Sequence, residues 1–216
     1  MNLPCEKRDM SSVLEKQNSE AMVVRSPMRK FTHEDYERMC RDGYFHPDER
    51  TELIHGEIRI MLATGAAHAF ATAELNFLLE SQLPREQFGI FSQSTLRIGS
   101  SSPDPDIYVA RGPRRNFEKS LATAKNICLI IEVADSSLAF DRGEKLSLYA
   151  AAAIPVYWIV NLVDRQVEVF TEPTGDSMSP GRYATRQIYK GGQAVTFQTE
   201  DSSAVIKVDD ILVRLG

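Results

Sequence analysis

The sequence predicts an α+β fold, a mixed central β-sheet with helices on its faces. Three observations lead there. Ile127–Ala134 is a near-continuous apolar run, the pattern of a central strand covered on both sides. Ala66–Gln82 and Asp141–Ala153 carry helical patterns before and after it. The remaining apolar segments are short, alternate with period two, and are separated by turn residues. The chain has 216 residues, which suits one domain at about 100–200 residues each. A hydrophobic content of 43% and a charged content of 25% are globular values and exclude a disordered or fibrous chain.

Residues 1–29 lack sustained periodicity and read as a mobile extension with a helical turn near Ser12–Glu20, leaving residues 30–216 as the domain. Thr32 is placed to cap a short helix with Glu34 and Asp35 in its first turn, and Gly43 ends it. Thr51–Leu62 reads as a hairpin turning at His55-Gly56, with Ile58, Ile60 and Leu62 on one face. In Ala66–Gln82 the expected inward residues are Phe70, Ala73, Leu75, Phe77 and Leu78, and Pro84 stops the helix. Gly89–Ile98 and Pro105–Ala110 read as strands, the second with Ile107 and Val109 opposite Asp106 and Tyr108. After the helix at Asp141, strands are expected at Val156–Asn161 and Gln166–Thr171, joined by a turn at residues 163–165. Thr174–Pro180 reads as a polar loop, Arg182–Tyr189 and Ala194–Gln198 as weaker strands, and Val208–Leu215 closes the chain.

The longest apolar stretch, Leu148–Val160, contains Pro155 and falls short of the roughly 20 residues a bilayer requires. The N-terminal residues are polar and charged, unlike a secretory signal. Cys5, Cys40 and Cys128 have no metal or disulfide spacing, so the expectation is a cytoplasmic protein without membrane contact. A net charge of −5 excludes a surface that is a nucleic-acid footprint throughout. It leaves room for a local basic patch around an acidic, metal-binding centre.

Several residues are out of place for their surroundings. Glu132 lies inside the apolar run, where an unpaired carboxylate would cost several kcal/mol. It is either one half of a structural ion pair with an arginine, or a metal ligand or catalytic acid. Asp104 and Asp106 bracket a strand entrance pinned by Pro103 and Pro105, and Asp104 also suits a turn cap. If the strands of Asp106 and Glu132 are neighbours, the two acids converge and repel unless a divalent cation lies between them. Hard oxygen ligands of that kind suit Mg²⁺ or Mn²⁺. Lys145 shares a helix face with Leu148, Tyr149 and Ala152, so it either snorkels past them or reaches the acids. Tyr149 bonds in the same cleft or belongs to the core. Glu52 on its own fits a surface strand, and His68 at a helix start fits a structural role. Arg111–Lys119 is a basic run after the Asp106 strand, either a solvated loop or a phosphate contact.

Taken together, these pieces resemble the PD-(D/E)xK nuclease superfamily with its restriction-endonuclease-like fold, and more closely the Uma-type restriction-endonuclease family. The resemblance rests on six segments in order: Glu52–Ile58, Pro103–Ile107, Leu129–Ser137, Asp141–Lys145, Leu148–Ala151 and Ile154–Asn161. It implies that Asp106 and Glu132 bind Mg²⁺ or Mn²⁺ with the backbone carbonyl of Val133, and that Glu52 completes the site. The superfamily pattern has a lysine two residues after the glutamate, where this chain has Ala134, so the amine falls to Lys145. Lys145 and Tyr149 resemble the Gln-x-x-x-Tyr helix motif of related nucleases. Ala153 and Val156 stand where glycine and an acidic residue are expected. The implied activity is hydrolysis of DNA phosphodiesters, with Arg114, Arg115 and Lys119 holding the backbone and a homodimer supplying two centres. Two alternatives stand beside it. One is an inactive module of this fold that binds DNA or a protein. The other is a metal hydrolase of small phosphoesters. The chain has no Gly-rich loop for triphosphate chemistry.

Overall fold

Helix formation starts where the capping residues put it. The computed structural model describes residues 28–61, 63–176 and 179–213, and its first element is helix α1 (His33–Arg41). The Thr32 hydroxyl accepts the Asp35 N–H and the Asp35 carboxylate accepts the Thr32 N–H, a reciprocal cap. The expected N-terminal helical turn lies outside the described residues.

Strands β1 (Thr51–Ile54) and β2 (Glu57–Ile60) form the expected hairpin. His55 and Gly56 at its tip have φ of +50° and +77°, the left-handed pair of a tight two-residue turn. A Cβ at Gly56 would also stand 2.7 Å from that of Lys30. The apolar face of β2 that carries Ile58 and Ile60 is not the buried one. Ile60 is 65% exposed, whereas Glu52, Leu53 and Ile54 on β1 are buried, because β1 docks on the loop at Ser102 through paired backbone bonds. Leu62 lies outside the described residues.

Helix α2 (Ala66–Gln82) has the expected bounds but presents another face. His68, Ala71, Thr72, Leu75 and Leu79 are buried, while Phe70 and Phe77 are 42% and 65% exposed. The helix is apolar on more than one side, so its pattern does not single out the stripe that packs. Strand β3 (Phe88–Ser92) ends earlier than the alternation suggests, because Gln93 turns at φ +45°. Strands β4 (Ile107–Arg111) and β5 (Ile127–Ala134) follow. The next helical segment starts before Asp141: α3 (Leu138–Phe140) passes through a π turn (Asp141–Lys145) into α4 (Leu146–Ala151). Strands β6 (Val156–Asn161), β7 (Gln166–Asp176) and β8 (Ser179–Lys190) come next. The expected polar loop at Thr174–Pro180 is thus largely the tip of a long hairpin. Strands β9 (Ala194–Gln198) and β10 (Ser203–Lys207) pair as a second hairpin, and α5 (Val208–Ile211) closes the described chain. The expected closing element at Val208–Leu215 is therefore this short helix, preceded by a strand that polar alternation had obscured.

The main sheet has the order β3-β4-β5-β6-β7-β8. All neighbours are antiparallel except β5 and β6, whose parallel pairing needs the α3–α4 crossover. Alternation divides the sheet into two faces. Ile107, Leu129, Ile131, Trp158 and Val167 pack under α2, the β9–β10 hairpin and α5. Tyr108, Ile130, Tyr157, Ile159 and Phe170 pack under α4 and β1. Strand β8 passes so close to α4 that a Cβ at Gly181 would collide with the backbone of Ser147 and Ala151. No helix among the described residues is long and apolar enough to cross a membrane.

Candidate active site

Strand alternation carries Glu132 to the same sheet face as Ile130 and Ala134, near the C-terminal end of β5. Asp106 lies at the entrance of β4, on the side of Tyr108, as the sequence predicts. The strands are neighbours, with Ile107 opposite Ile131. The Asp106 Oδ2 atom accepts the Val133 N–H at 2.8 Å, and the Asp106 N–H lies 3.4 Å from Glu132 Oε2. The two acids therefore meet across one pair of strands, both buried at 5% and 3% exposure.

The crossover brings the cation. Lys145 ends the π turn and Tyr149 follows one turn later. The Lys145 Nζ donates to Glu132 Oε1 at 3.1 Å and lies 3.4 Å from Glu52 Oε2. The Tyr149 hydroxyl donates to the same Glu132 oxygen at 2.7 Å. From α2, His68 Nε2 is 3.0 Å from Asp106 Oδ2, with the Thr72 hydroxyl at its other ring nitrogen. Glu52 is buried on β1 and reaches the Asp104 N–H at 3.4 Å.

Asp141 joins these residues, although it is not among those singled out from the sequence. It lines the same cleft, is 2% exposed, and accepts the Ser137 hydroxyl at 2.6 Å. The signal was present, because Asp141 precedes Lys145 by four residues on the same helix stripe. Arg59 was passed over as well. It stands opposite Glu52 in the hairpin register and lines the cleft mouth.

Four buried carboxylates, Glu52, Asp106, Glu132 and Asp141, thus face a cleft of about 280 Å³ with Lys145 among them, and the exposed Asp135 lines it as well. Burial raises the Glu132 pKa well above the usual range; Lys145 opposes this, and Asp141, Asp106 and Glu52 reinforce it. Burial likewise pushes Asp141 up to about 6 against the pull of Lys145 and Ser137. Burial alone would lower Lys145, but Glu132, Glu52 and Asp141 overcome it and hold the ammonium charged. The site is therefore short of positive charge. Among the described residues no three His, Cys, Asp or Glu side chains already stand in ligand geometry. The donors are nevertheless hard oxygens, the class that suits Mg²⁺ and Mn²⁺.

A family model described as "Uma2: Putative restriction endonuclease" matches residues 33–200. The chain belongs to the Uma2 family. No curated protein matches it. Among solved structures, a chain from Anabaena variabilis ATCC 29413, described as "a putative nuclease belonging to DUF820", matches with a TM-score of 0.62. It is 15% identical, and the match covers 86% of this chain and 97% of that one. That likeness shows a shared fold, and the expected α+β class holds.

Within this Uma2 protein, the expected residues Glu52, Asp106, Glu132, Val133, Lys145 and His68 line one cleft, and Tyr149 stands behind it against Glu132. Arg114, Arg115 and Lys119 do not join them. They are absent from the cleft lining and follow the far end of β4, whose last residue, at about 3.3 Å per residue, is roughly 15–20 Å along the strand from Asp106. Arg114 is engaged there with Glu80 at 3.3 Å and with the Phe91 ring.

Proposed function

We propose that this Uma2 protein is a divalent-metal-dependent endonuclease that hydrolyses DNA phosphodiesters at the Asp106–Glu132–Lys145 cleft. The observation that carries the reading is a cleft of four buried carboxylates that holds a single lysine. Such an excess of buried negative charge is costly alone and is offset by a cation. Family membership supports the reaction class.

Asp106, Glu132, the Val133 carbonyl and Glu52 are the groups that would hold Mg²⁺ or Mn²⁺. A bound ion of this kind neutralises phosphate charge and lowers the pKa of a water. The protein's own residues do the positioning. His68 and the Val133 N–H fix one oxygen of Asp106, and Tyr149 fixes one oxygen of Glu132. Lys145 keeps its proton and so presents a fixed ammonium to the charge that develops on the phosphate. Lys145 is also the group that can orient an attacking water.

The test is incubation of the purified protein with plasmid, nicked and single-stranded DNA in Mg²⁺ or Mn²⁺. Cutting is expected in either metal and lost with EDTA, and Asp106→Ala should abolish it while the melting curve is retained. Equal cleavage by the wild type and Asp106→Ala would overturn the reading. We further propose that two copies act together to cut both strands. Linear product that appears without a nicked intermediate would support that pairing.

A further inference from the structure

Resting on that nuclease reading, we infer that Arg59 is the residue that grips the nucleic-acid backbone, through a non-bridging phosphate oxygen next to the scissile bond. A polyanion entering a cleft lined by five carboxylates needs a cation at the mouth. Lys145 is deep, 3% exposed, and held by Glu132 and Glu52. His68 is turned toward Asp106. The basic run at residues 111–119 lies at the opposite end of β4. Arg59 is the cleft-lining cation that remains among the described residues.

Its geometry suits the task. Its guanidinium sits 6.0 Å from the centre of the Phe140 ring. The contacts it makes to carboxylates run through one terminal nitrogen, Nη2, to Glu144 at 3.2 Å and Glu57 at 3.1 Å. Nε is buried and has no hydrogen-bond partner. Among the described residues Nη1 makes no carboxylate contact, so it is the arm of the fork left for a ligand oxygen. Arginine presents such donors in the flat fork that matches phosphate. Glu144 and Glu57 hold the fork in place before substrate arrives. The position is also tied to the chemistry, because Arg59 pairs in register with Glu52 across the hairpin.

The experiment measures binding of a short fluorescein-labelled DNA duplex in EDTA between about 50 and 200 mM salt, and cleavage of the same duplex in Mg²⁺. Arg59→Gln should weaken binding roughly tenfold at the low-salt end and reduce the salt slope by about one, as loss of one phosphate contact requires. Arg59→Lys should recover part of the affinity, and its melting temperature guards against a folding defect. Arg114→Gln and Arg115→Gln should leave the slope unchanged. A wild-type slope in Arg59→Gln, or a slope that falls in the Arg114 or Arg115 variants instead, overturns the assignment. Wild-type protein that binds but does not cut overturns the nuclease reading and leaves Arg59 as the phosphate contact. Cutting with an unchanged Arg59→Gln slope does the reverse, and a wild type that neither binds in EDTA nor cuts in Mg²⁺ overturns both.

Discussion

Glu132 and Glu168 occupy one row of the central sheet. Glu132 on β5 pairs with Ile159 on β6, and Ile159 pairs with Glu168 on β7. Both are buried glutamates on the same face, two strands apart, and their surroundings differ in sign. Glu168 receives Arg142 at Nε (3.1 Å), Arg186 (2.8 Å), Asn161 (2.9 Å) and Gln166 (3.1 Å). Burial opposes ionisation there, but these donors prevail and hold its pKa down to about 2. Glu132 has one ammonium, one hydroxyl and a long contact from the Asp106 N–H against three neighbouring carboxylates, and its pKa is driven up. A buried acid with a surplus of donors is a structural tie. On the proposed reading, a buried acid short of them is a group to which a cation would bind.

Exchanging each acid for its amide tests that distinction directly. Glu132→Gln should lower cleavage by about a thousandfold, equivalent to about 4 kcal/mol of transition-state stabilisation. Its melting temperature should hold or rise, since the change relieves repulsion with Asp106, Asp141 and Glu52. Glu168→Gln should do the opposite. It leaves Arg142 and Arg186 without their shared anion and should destabilise the fold by about 2–3 kcal/mol, less than a fully buried pair would cost because both arginines are partly exposed. Cleavage by the folded fraction should be unchanged. Thermal melts and initial rates on the same preparations read both effects, and equal destabilisation by the two changes would break the comparison.

Acidity should separate the two regions further. Glu168 has a folded pKa near 2, below its ordinary 4.5. Its contribution is complete above about pH 4.5 and is lost as pH falls toward 2. Asp141 has a folded pKa near 6, above its ordinary 3.8. The native state takes up that proton before the unfolded chain does, so stability rises as pH falls from above 6 to about 4. In EDTA, the melting temperature should therefore climb on mild acidification and drop on stronger acidification. Asp141→Asn should flatten the first limb and Glu168→Gln should make the second shallower. A monotonic fall from pH 7 in the wild type would contradict the raised site.

The same contrast bears on what the sequence made legible. Ile127–Ala134, Val156–Asn161 and Ala194–Gln198 read correctly because burial on one or both faces leaves a period in the residues. Glu132 and Asp106 were visible because each breaks such a pattern. Glu168 was not, since a glutamate between Val167 and Val169 has the ordinary look of a half-exposed strand. Its burial follows from arginines at 142 and 186, which only the folded chain brings near. Arg59 was hidden for the same reason, in a β2 whose alternation suggested a buried face at Ile58 and Ile60. The inward stripe of α2 was misread because Phe70 and Phe77 outweigh His68, Ala71 and Thr72 in apolarity, although the smaller residues fit the sheet.

The smallest expected effect concerns how Lys145 and Tyr149 are held in place. Their helix ends in a Schellman arrangement: the Ile154 N–H donates to the Tyr149 carbonyl at 3.0 Å, and the Ala153 N–H to the Ala150 carbonyl at 2.9 Å. That closure requires a left-handed residue at position 153, and Ala153 adopts φ +56°. An alanine there carries a Cβ penalty that glycine avoids, while glycine loses more chain entropy on folding. The steric penalty outweighs the entropy, so Ala153→Gly should stabilise the protein by about 0.5–1 kcal/mol. Ala153 is exposed and outside the cleft, so the cleavage rate should not change. A shift of a few degrees in melting temperature with unaltered rate would show that the helix end limits the fold alone. A change in rate would show that the tightness of this turn reaches Glu132 through Tyr149, and the line between structural tie and working acid would then run through the helix as well as along the sheet.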